Sequence, residues 1–150
     1  MAQTLTRLLV HIVFSTKNRE PLIAPEIEDE LQKYISGIAR NHESPVIAIG
    51  GTSDHVHILL AQSKNIALAS LLQHIKGDSS RWIKTKSPRF AGFGWQDGYG
   101  AFTISESHRD AVVAYIANQH EHYRATSFQD EFRTILKKYG VDYDERFLWS

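Results

Sequence analysis

Short apolar runs and longer helix-like stripes alternate along this chain. Residues 8–14 (Leu-Leu-Val-His-Ile-Val-Phe) form a β-branched apolar run bounded by polar residues, which predicts a buried strand. Similar reasoning predicts further strands at residues 45–50, 55–61 and 99–105. A Gly-Gly-Thr-Ser-Asp turn separates the second strand from the third. The second and third strands are therefore expected to form a hairpin.

Four segments show the 3.6-residue apolar spacing of amphipathic helices. The first begins after Pro25, has acidic residues in its first turn and spans about 26–41. The second has Asn65 as its expected N-cap and an apolar stripe at Leu68, Leu71, Leu72, Ile75, Ser79 and Trp82. A capping box at 107–110 opens the third, and Ser127 with Asp130 opens the fourth, which Gly140 closes.

The element order is β-α-β-β-α-β followed by two more helices. This order predicts an α+β, ferredoxin-like split β-α-β fold with an antiparallel sheet and C-terminal helices. We find no repeat, low-complexity segment or linker, so residues 1–150 are expected to form one domain. Residues from about 126 to 150 are an appendage that either packs back on the sheet or docks on a partner.

The amino-acid composition limits the kinds of functional site that this chain can have. The chain has 150 residues, no cysteine and a formal net charge of zero. The absence of cysteine excludes disulfide scaffolds, thiolate metal sites and cysteine nucleophiles. A net charge of zero argues against a protein that coats nucleic acid by bulk electrostatics. We see neither a signal peptide nor an apolar run long enough to span a membrane, so a soluble, cytoplasmic protein is expected.

The sequence Asp54-His-Val-His57 holds the most informative side chains. Residues two apart on a strand project from the same face, so His55 and His57 point together while Val56 faces a hydrophobic layer. Such a pair is suited to metal binding, although two strand histidines alone are equally compatible with a structural role. Asp54 does not alternate onto the histidine face, so we assign it no chemistry.

On the third helix, Tyr115 and Gln119 are four residues apart and are expected to share one face. If this helix packs beside the histidine strand, Gln119 would supply an oxygen ligand and Tyr115 would point its hydroxyl at whatever the metal holds. Two imidazoles and an amide oxygen suit Mg²⁺ or Mn²⁺. Taken alone, Tyr115 is better explained as an ordinary tyrosine of an amphipathic helix, and His120 and His122 are expected to face solvent.

Residues 74–95 are locally basic despite the neutral chain. This stretch contains five cationic residues and one acidic residue, Asp78. The cationic residues are interleaved with Trp82, Phe90, Phe93 and Trp95. Cations with flat rings suit single-stranded nucleic acid. The alternative is a solvated helix face followed by a loop whose rings pack on the core, and we expect most of these rings to be buried.

Five segments together resemble the single-tyrosine HUH transposases, which include the small insertion-sequence transposases and the REP-associated tyrosine transposases. They are Phe-Ser-Thr-Lys-Asn-Arg at 14–19, Ser-Asp-His-Val-His-Ile-Leu-Leu at 53–60, Leu-Gln-His-Ile-Lys-Gly at 72–77, Phe-Gly-Trp-Gln-Asp-Gly-Tyr at 93–99 and Tyr-Ile-Ala-Asn-Gln at 115–119. They occur in the family's order across about residues 8–122. Lys17-Asn-Arg19 departs from the Lys-aromatic-Arg of many relatives, which affects only the details of DNA contact.

The resemblance implies a transposase that acts on single-stranded DNA with imperfect hairpins, as a homodimer. Tyr115 would be the nucleophile that forms a 5′-phosphotyrosine intermediate and frees a 3′-hydroxyl. His55, His57 and Gln119 would hold Mg²⁺ or Mn²⁺. The candidate phosphate contacts are Lys17, Arg19, Lys76, Arg81, Lys84 and Lys86.

Two other functions remain open from the sequence. One is a non-catalytic or domesticated nucleic-acid-binding module on the same fold, against which the intact set of histidines, tyrosine and glutamine argues. The other is a metal-dependent nucleotide phosphohydrolase of the His-x-His-x-His kind. Leu59 stands where its third histidine would be, and Tyr115 would have no role in it.

Overall fold

The computed structural model describes residues 2–150 and has a four-stranded antiparallel sheet in the order β2-β3-β1-β4. The strands are β1 (Leu9–Ser15), β2 (Val46–Gly51), β3 (His55–Ala61) and β4 (Gly100–Thr103). The helices are α1 (Pro25–Asn41), α2 (Leu68–Lys84), α3 (Arg109–Ala117), α4 (Gln119–Ala125) and α5 (Phe128–Lys138). The predicted α+β fold class is therefore confirmed, including the hairpin of β2 and β3.

Strand register places the histidines near the middle of the sheet. β1 lies between β3 and β4, with Val13 opposite His57 and Ser15 opposite His55. Residues directly opposite each other in an antiparallel pair share a face. His11, two residues before Val13, therefore belongs to the same face as the two β3 histidines.

The two faces of the sheet have different partners. On one face, Val56, Ile58 and Leu60 join the main core with residues of α1 and α2. On the other face, a second cluster joins Val13 and Phe102 to three α5 side chains, Phe128, Phe132 and Leu136. Of the two expectations for the C-terminal segment, packing back on the sheet is the one the structure shows.

Two glycines let helices approach the histidine face closely. A Cβ on Gly50 of β2 would lie 2.4 Å from the Ile116 carbonyl oxygen of α3. A Cβ on Gly100 of β4 would lie 2.6 Å from the Phe132 ring of α5. Both distances are shorter than a Cβ atom tolerates to another heavy atom. Helices this close to the sheet therefore require glycine at positions 50 and 100.

Three element boundaries differ from the sequence expectation. The third predicted helix is broken at Asn118, which is the C-cap of α3 and the N-cap of α4. α2 begins after Ala67, whereas Asn65 lies in the preceding turn, where its backbone N–H donates to the Ser63 hydroxyl. The predicted box at 107–110 lies at a short 3₁₀ turn that precedes α3.

The Ser127 cap of α5 is confirmed, since its hydroxyl accepts from the Asp130 backbone N–H. None of the helices within residues 2–150 combines the length and apolar character that crossing a bilayer requires.

Candidate active site

His55 and His57 are both buried on the same face of β3, with ring centroids 5.4 Å apart. His55 Nδ1 lies 2.7 Å from Asp54 Oδ1, and His57 Nδ1 lies 2.9 Å from His11 Nε2. Because each Nδ1 is engaged by a neighbour, each Nε2 is directed into the common space beside the sheet. Fixing the second nitrogen of an imidazole in this way is how proteins orient metal-binding histidines.

Asp54 has a role that the strand alternation did not suggest. β3 begins at His55, so Asp54 lies in the turn, where its side chain folds back onto the histidine. Its second oxygen, Oδ2, accepts from the Tyr123 hydroxyl at 3.0 Å. Asp54 therefore anchors the His55 ring. If Asp54 continued the strand, alternation would point its side chain away from the histidine face.

Tyr115 and Gln119 reach the same space from α3 and α4. Gln119 is buried, and its Oε1 lies 2.8 Å from His55 Nε2. The Tyr115 ring stands edge-on to His57, with centroids 5.6 Å apart. The helix break at Asn118 does not separate the two side chains, so all four predicted residues converge within one chain.

Glu131 of α5 was missed by the sequence reasoning. Its carboxylate is 4% exposed, with Oε1 2.8 Å from His57 Nε2 and Oε2 accepting from the Tyr115 hydroxyl at 2.5 Å. The available signal was position: Glu131 falls at the i+3 place after Phe128, on the apolar stripe of a helix. An acid on such a stripe is unusual without a buried partner.

The nearest nitrogen and oxygen atoms of His55, His57 and Glu131 all lie within 4.8 Å of one another. This is a group of side chains that could hold a metal ion. Gln119 adds an amide oxygen on the same side.

Burial controls the protonation of this cluster. It lowers the pKa of His57, and it lowers that of His11 to about 3, so both rings stay neutral and keep a lone pair. Burial acts to raise the pKa of Glu131, but the hydrogen bonds that it accepts, from His57 first and then from Tyr115, bring it down to about 2. Burial and the Glu131 carboxylate raise the pKa of Tyr115. The phenol is therefore protonated at neutral pH.

The two histidines that follow Gln119 differ from each other. His120 is exposed, as expected, and pairs with Glu28 at 3.0 Å. His122 is not simply solvent-facing, because its Nε2 lies 3.0 Å from Glu131 Oε2 and its ring lies 5.1 Å from Tyr115. The turn that starts α4 brings His122 back over the site.

A cavity of about 600 Å³ lies between α3, α5 and β4. Its lining includes Tyr115, His122 and Glu131, so it opens directly onto the candidate nucleophile. Its volume is within the range of ligand-binding clefts.

The predicted phosphate contacts are scattered. Arg81 pairs with Asp78, and Lys86 pairs with Glu30. Lys84 and Lys17 are exposed, and the Arg19 guanidinium lies 5.1 Å from the centre of the Trp149 ring. The structure confirms burial for three rings of this stretch, Phe90, Phe93 and Trp95, while Trp82 is partly buried and stacks on Tyr34.

Lys76 is the exception among these cations. Its Nζ donates to the backbone carbonyls of Gln96, Asp97 and Gly98, at 2.6 to 3.1 Å. Burial lowers its pKa to about 8. Lys76 therefore holds the loop before β4 against α2.

We expect Lys76→Ala to lower the free energy of unfolding by about 2–3 kcal/mol, because three carbonyls lose a charged donor. Lys84→Ala, on the same helix but exposed, should change it by less than about 0.5 kcal/mol. Urea unfolding followed by far-UV circular dichroism measures both. Equal stability of the two variants would show that Lys76 does not stabilise the loop.

Comparison with known proteins identifies the family. The family model described as "Transposase IS200 like" matches residues 4–119. The chain belongs to the IS200-like transposase family. The matched segment contains His55, His57, Tyr115 and Gln119 and ends before Glu131.

Relatives of this IS200-like transposase are found among both sequences and structures. The ISDra2 transposase TnpA of Deinococcus radiodurans is 28% identical over 120 residues, which covers 77% of this chain and 86% of the relative. A crystal structure of a transposase from D. radiodurans R1 is 27% identical with a TM-score of 0.62, covering 79% of this chain and 95% of that one. The structure of a REP-associated tyrosine transposase bound to a REP hairpin has a TM-score of 0.55. At 15% identity, covering 79% and 72% of the two chains, it shows the shared fold.

Proposed function

We propose that this IS200-like transposase cleaves and rejoins single-stranded DNA at hairpin-bearing ends, with Tyr115 as the nucleophile. The observation that carries this proposal is the position of the Tyr115 hydroxyl. It enters the same buried cluster as His55 Nε2, His57 Nε2 and the Gln119 amide, so a phosphate held by the cluster would lie next to a tyrosine oxygen.

The donor set fits a divalent ion, for which we propose Mg²⁺ or Mn²⁺. His55, His57 and Gln119 would hold it: burial keeps His57 neutral, and Asp54 orients His55. A bound ion would polarise the scissile phosphate and neutralise developing negative charge. The neutral imidazole and the nearby buried carboxylate both favour a cation in this space.

In the proposed reaction, Tyr115 acts on the DNA and Asp54 positions a histidine. The Tyr115 oxygen attacks phosphorus and gives up its proton, the bond from phosphorus to the 3′-oxygen breaks, and the 3′-oxygen takes up a proton. A 5′-phosphotyrosine and a free 3′-hydroxyl result. One phosphodiester is exchanged for another, so attack by a second 3′-hydroxyl rejoins strands without an added energy source. Asp54 holds the His55 ring throughout.

Hairpin DNA as the partner is supported by the fold neighbour, whose structure was solved on a REP hairpin. Assembly as a homodimer stays a prediction. Lys76 is excluded from the candidate phosphate contacts, because its ammonium donates to three backbone carbonyls of its own chain. Of the others, Lys17, Arg19, Arg81, Lys84 and Lys86, the exposed Lys17 and Lys84 are the most accessible.

The deciding experiment mixes the protein, Mn²⁺ and end-labelled single strands that carry a hairpin with flanking sequence. We expect a labelled protein band that survives denaturation and a matching fragment with a free 3′-hydroxyl. DNA binding with no adduct would indicate a non-catalytic module instead. Release of mononucleotides would indicate a phosphohydrolase.

Salt dependence tests the phosphate contacts. Each phosphate neutralised on a single strand contributes about −0.7 to the slope of log affinity against log salt. We expect Lys17→Ala with Lys84→Ala to flatten that slope by about 1 to 1.5 units and to weaken specific and scrambled hairpins alike. Fluorescence anisotropy at several salt concentrations measures it.

The matched control is the double variant Lys33→Ala with Arg40→Ala, which removes the same charge from α1. Its slope should equal that of the parent. An unchanged slope in the Lys17 and Lys84 variant would show that the DNA backbone does not contact these two residues.

A further inference from the structure

The two carboxylate oxygens of Glu131 face different partners. Oε1 lies 2.8 Å from His57 Nε2 and 3.7 Å from His55 Nε2. Oε2 accepts from the Tyr115 hydroxyl at 2.5 Å and lies 3.0 Å from His122 Nε2. One oxygen thus points at the ligand atoms of the histidines and the other at the nucleophile.

Packing does not account for a carboxylate at this position. Glu131 is 4% exposed on the stripe of α5 that carries Phe128 and Phe132. Burying a carboxylate costs several kcal/mol unless a charge compensates it. Within residues 2–150, every ion pair of Glu131 is with a histidine rather than with a lysine or an arginine. A divalent cation among these atoms would compensate the charge of the carboxylate.

We propose that Glu131 bridges the metal and the nucleophile, with Oε1 completing the coordination by His55 and His57 while Oε2 holds the Tyr115 hydroxyl toward the scissile phosphate. This inference rests on the proposed function and adds a residue to its site. Glu131 lies beyond residues 4–119, the segment that matches the family. The helix α5 is then a part of the active site, which explains why Gly100 gives it so close an approach to β4.

Direct metal binding tests the first half of the bridge, without DNA. We expect Glu131→Gln to weaken Mn²⁺ binding by at least about 10- to 100-fold, measured by calorimetry and by electron paramagnetic resonance of free Mn²⁺. Glu131→Asp keeps the charge and should bind with intermediate affinity. The matched control is Glu145→Gln on the same C-terminal segment, where an exposed pair with Arg133 is lost and Mn²⁺ affinity should not change.

Adduct formation at saturating Mn²⁺ tests the second half. Glu131→Gln should form the adduct more slowly in a single turnover even when fully loaded, because an amide aligns the hydroxyl less strongly than a carboxylate. The melting temperature of the metal-free variant shows whether it is still folded, because the substitution changes the hydrogen bonds of residue 131 with His57 and Tyr115.

The inference is overturned if both Glu131 variants bind Mn²⁺ as tightly as the parent, or if the parent does not bind Mn²⁺. It is also overturned if Glu131→Gln forms the adduct faster, since the carboxylate would then be blocking the phosphate site. Parent protein that binds Mn²⁺ through Glu131 but never forms an adduct would instead contradict the proposed function alone.

Discussion

Tyr115→Phe abolishes the covalent adduct, with strand cleavage falling by at least about 1,000-fold, while hairpin affinity stays within about two-fold of the parent. The substitution removes one oxygen and keeps the ring, whose edge-on packing against His57 and His122 is preserved. Glu131 loses one donor but retains His57 and His122. The stability cost should therefore be about 1 kcal/mol.

Denaturing gels of labelled DNA measure the adduct, and anisotropy measures affinity. Tyr34→Phe is the matched control: the same atom is removed from a ring that stacks on Trp82 away from the site, so the adduct should form normally. An adduct that survives in Tyr115→Phe would place the nucleophile elsewhere. Tyr123 would be the first candidate, because its hydroxyl binds Asp54 and its ring lies 5.6 Å from His55.

His57→Ala should eliminate metal-dependent cleavage, a loss on the order of 1,000-fold or more, because the charge that stabilises the transition state is no longer held. Stability falls as well. His57 is fully buried and bonded to His11 and Glu131, so alanine leaves a cavity and removes a donor, at about 2–4 kcal/mol.

A thermal measurement separates the two effects. Mn²⁺ at 100 times its dissociation constant should stabilise the parent by about 2.7 kcal/mol, whereas the His57→Ala variant should gain nothing. His74→Ala is the control, since this ring stacks on His42 away from the site. Cleavage by parent protein stripped with a chelator, at the rate of the Mn²⁺-loaded protein, would rule out the metal site.

Local periodicity accounts for the parts of the site that were predicted. The two-residue repeat of a strand alone puts His55 and His57 on one face, and the apolar neighbours show which face meets the main core. The four-residue spacing paired Tyr115 with Gln119 although the helix breaks between them. Both inferences need only neighbours in the chain, because the geometry of one element determines which of its side chains lie together.

Contacts between elements account for what was missed. Glu131 reaches His57 only because α5 turns its apolar stripe to the sheet, and Lys76 binds three carbonyls only because the loop before β4 crosses α2. Asp54 reaches His55 because a turn, rather than a strand, sets its direction.

The sequence by itself determined the strands, the approximate positions of the helices, the order that yields the fold and four side chains that meet at the candidate site. The tertiary structure decided that Glu131, an acid from outside the matched segment, lies in the same site. It also decided that Lys76, one of the predicted DNA contacts, binds backbone carbonyls of its own chain. The physical reason is that hydrophobic patterning marks which faces are buried, whereas packing between elements decides which buried faces meet.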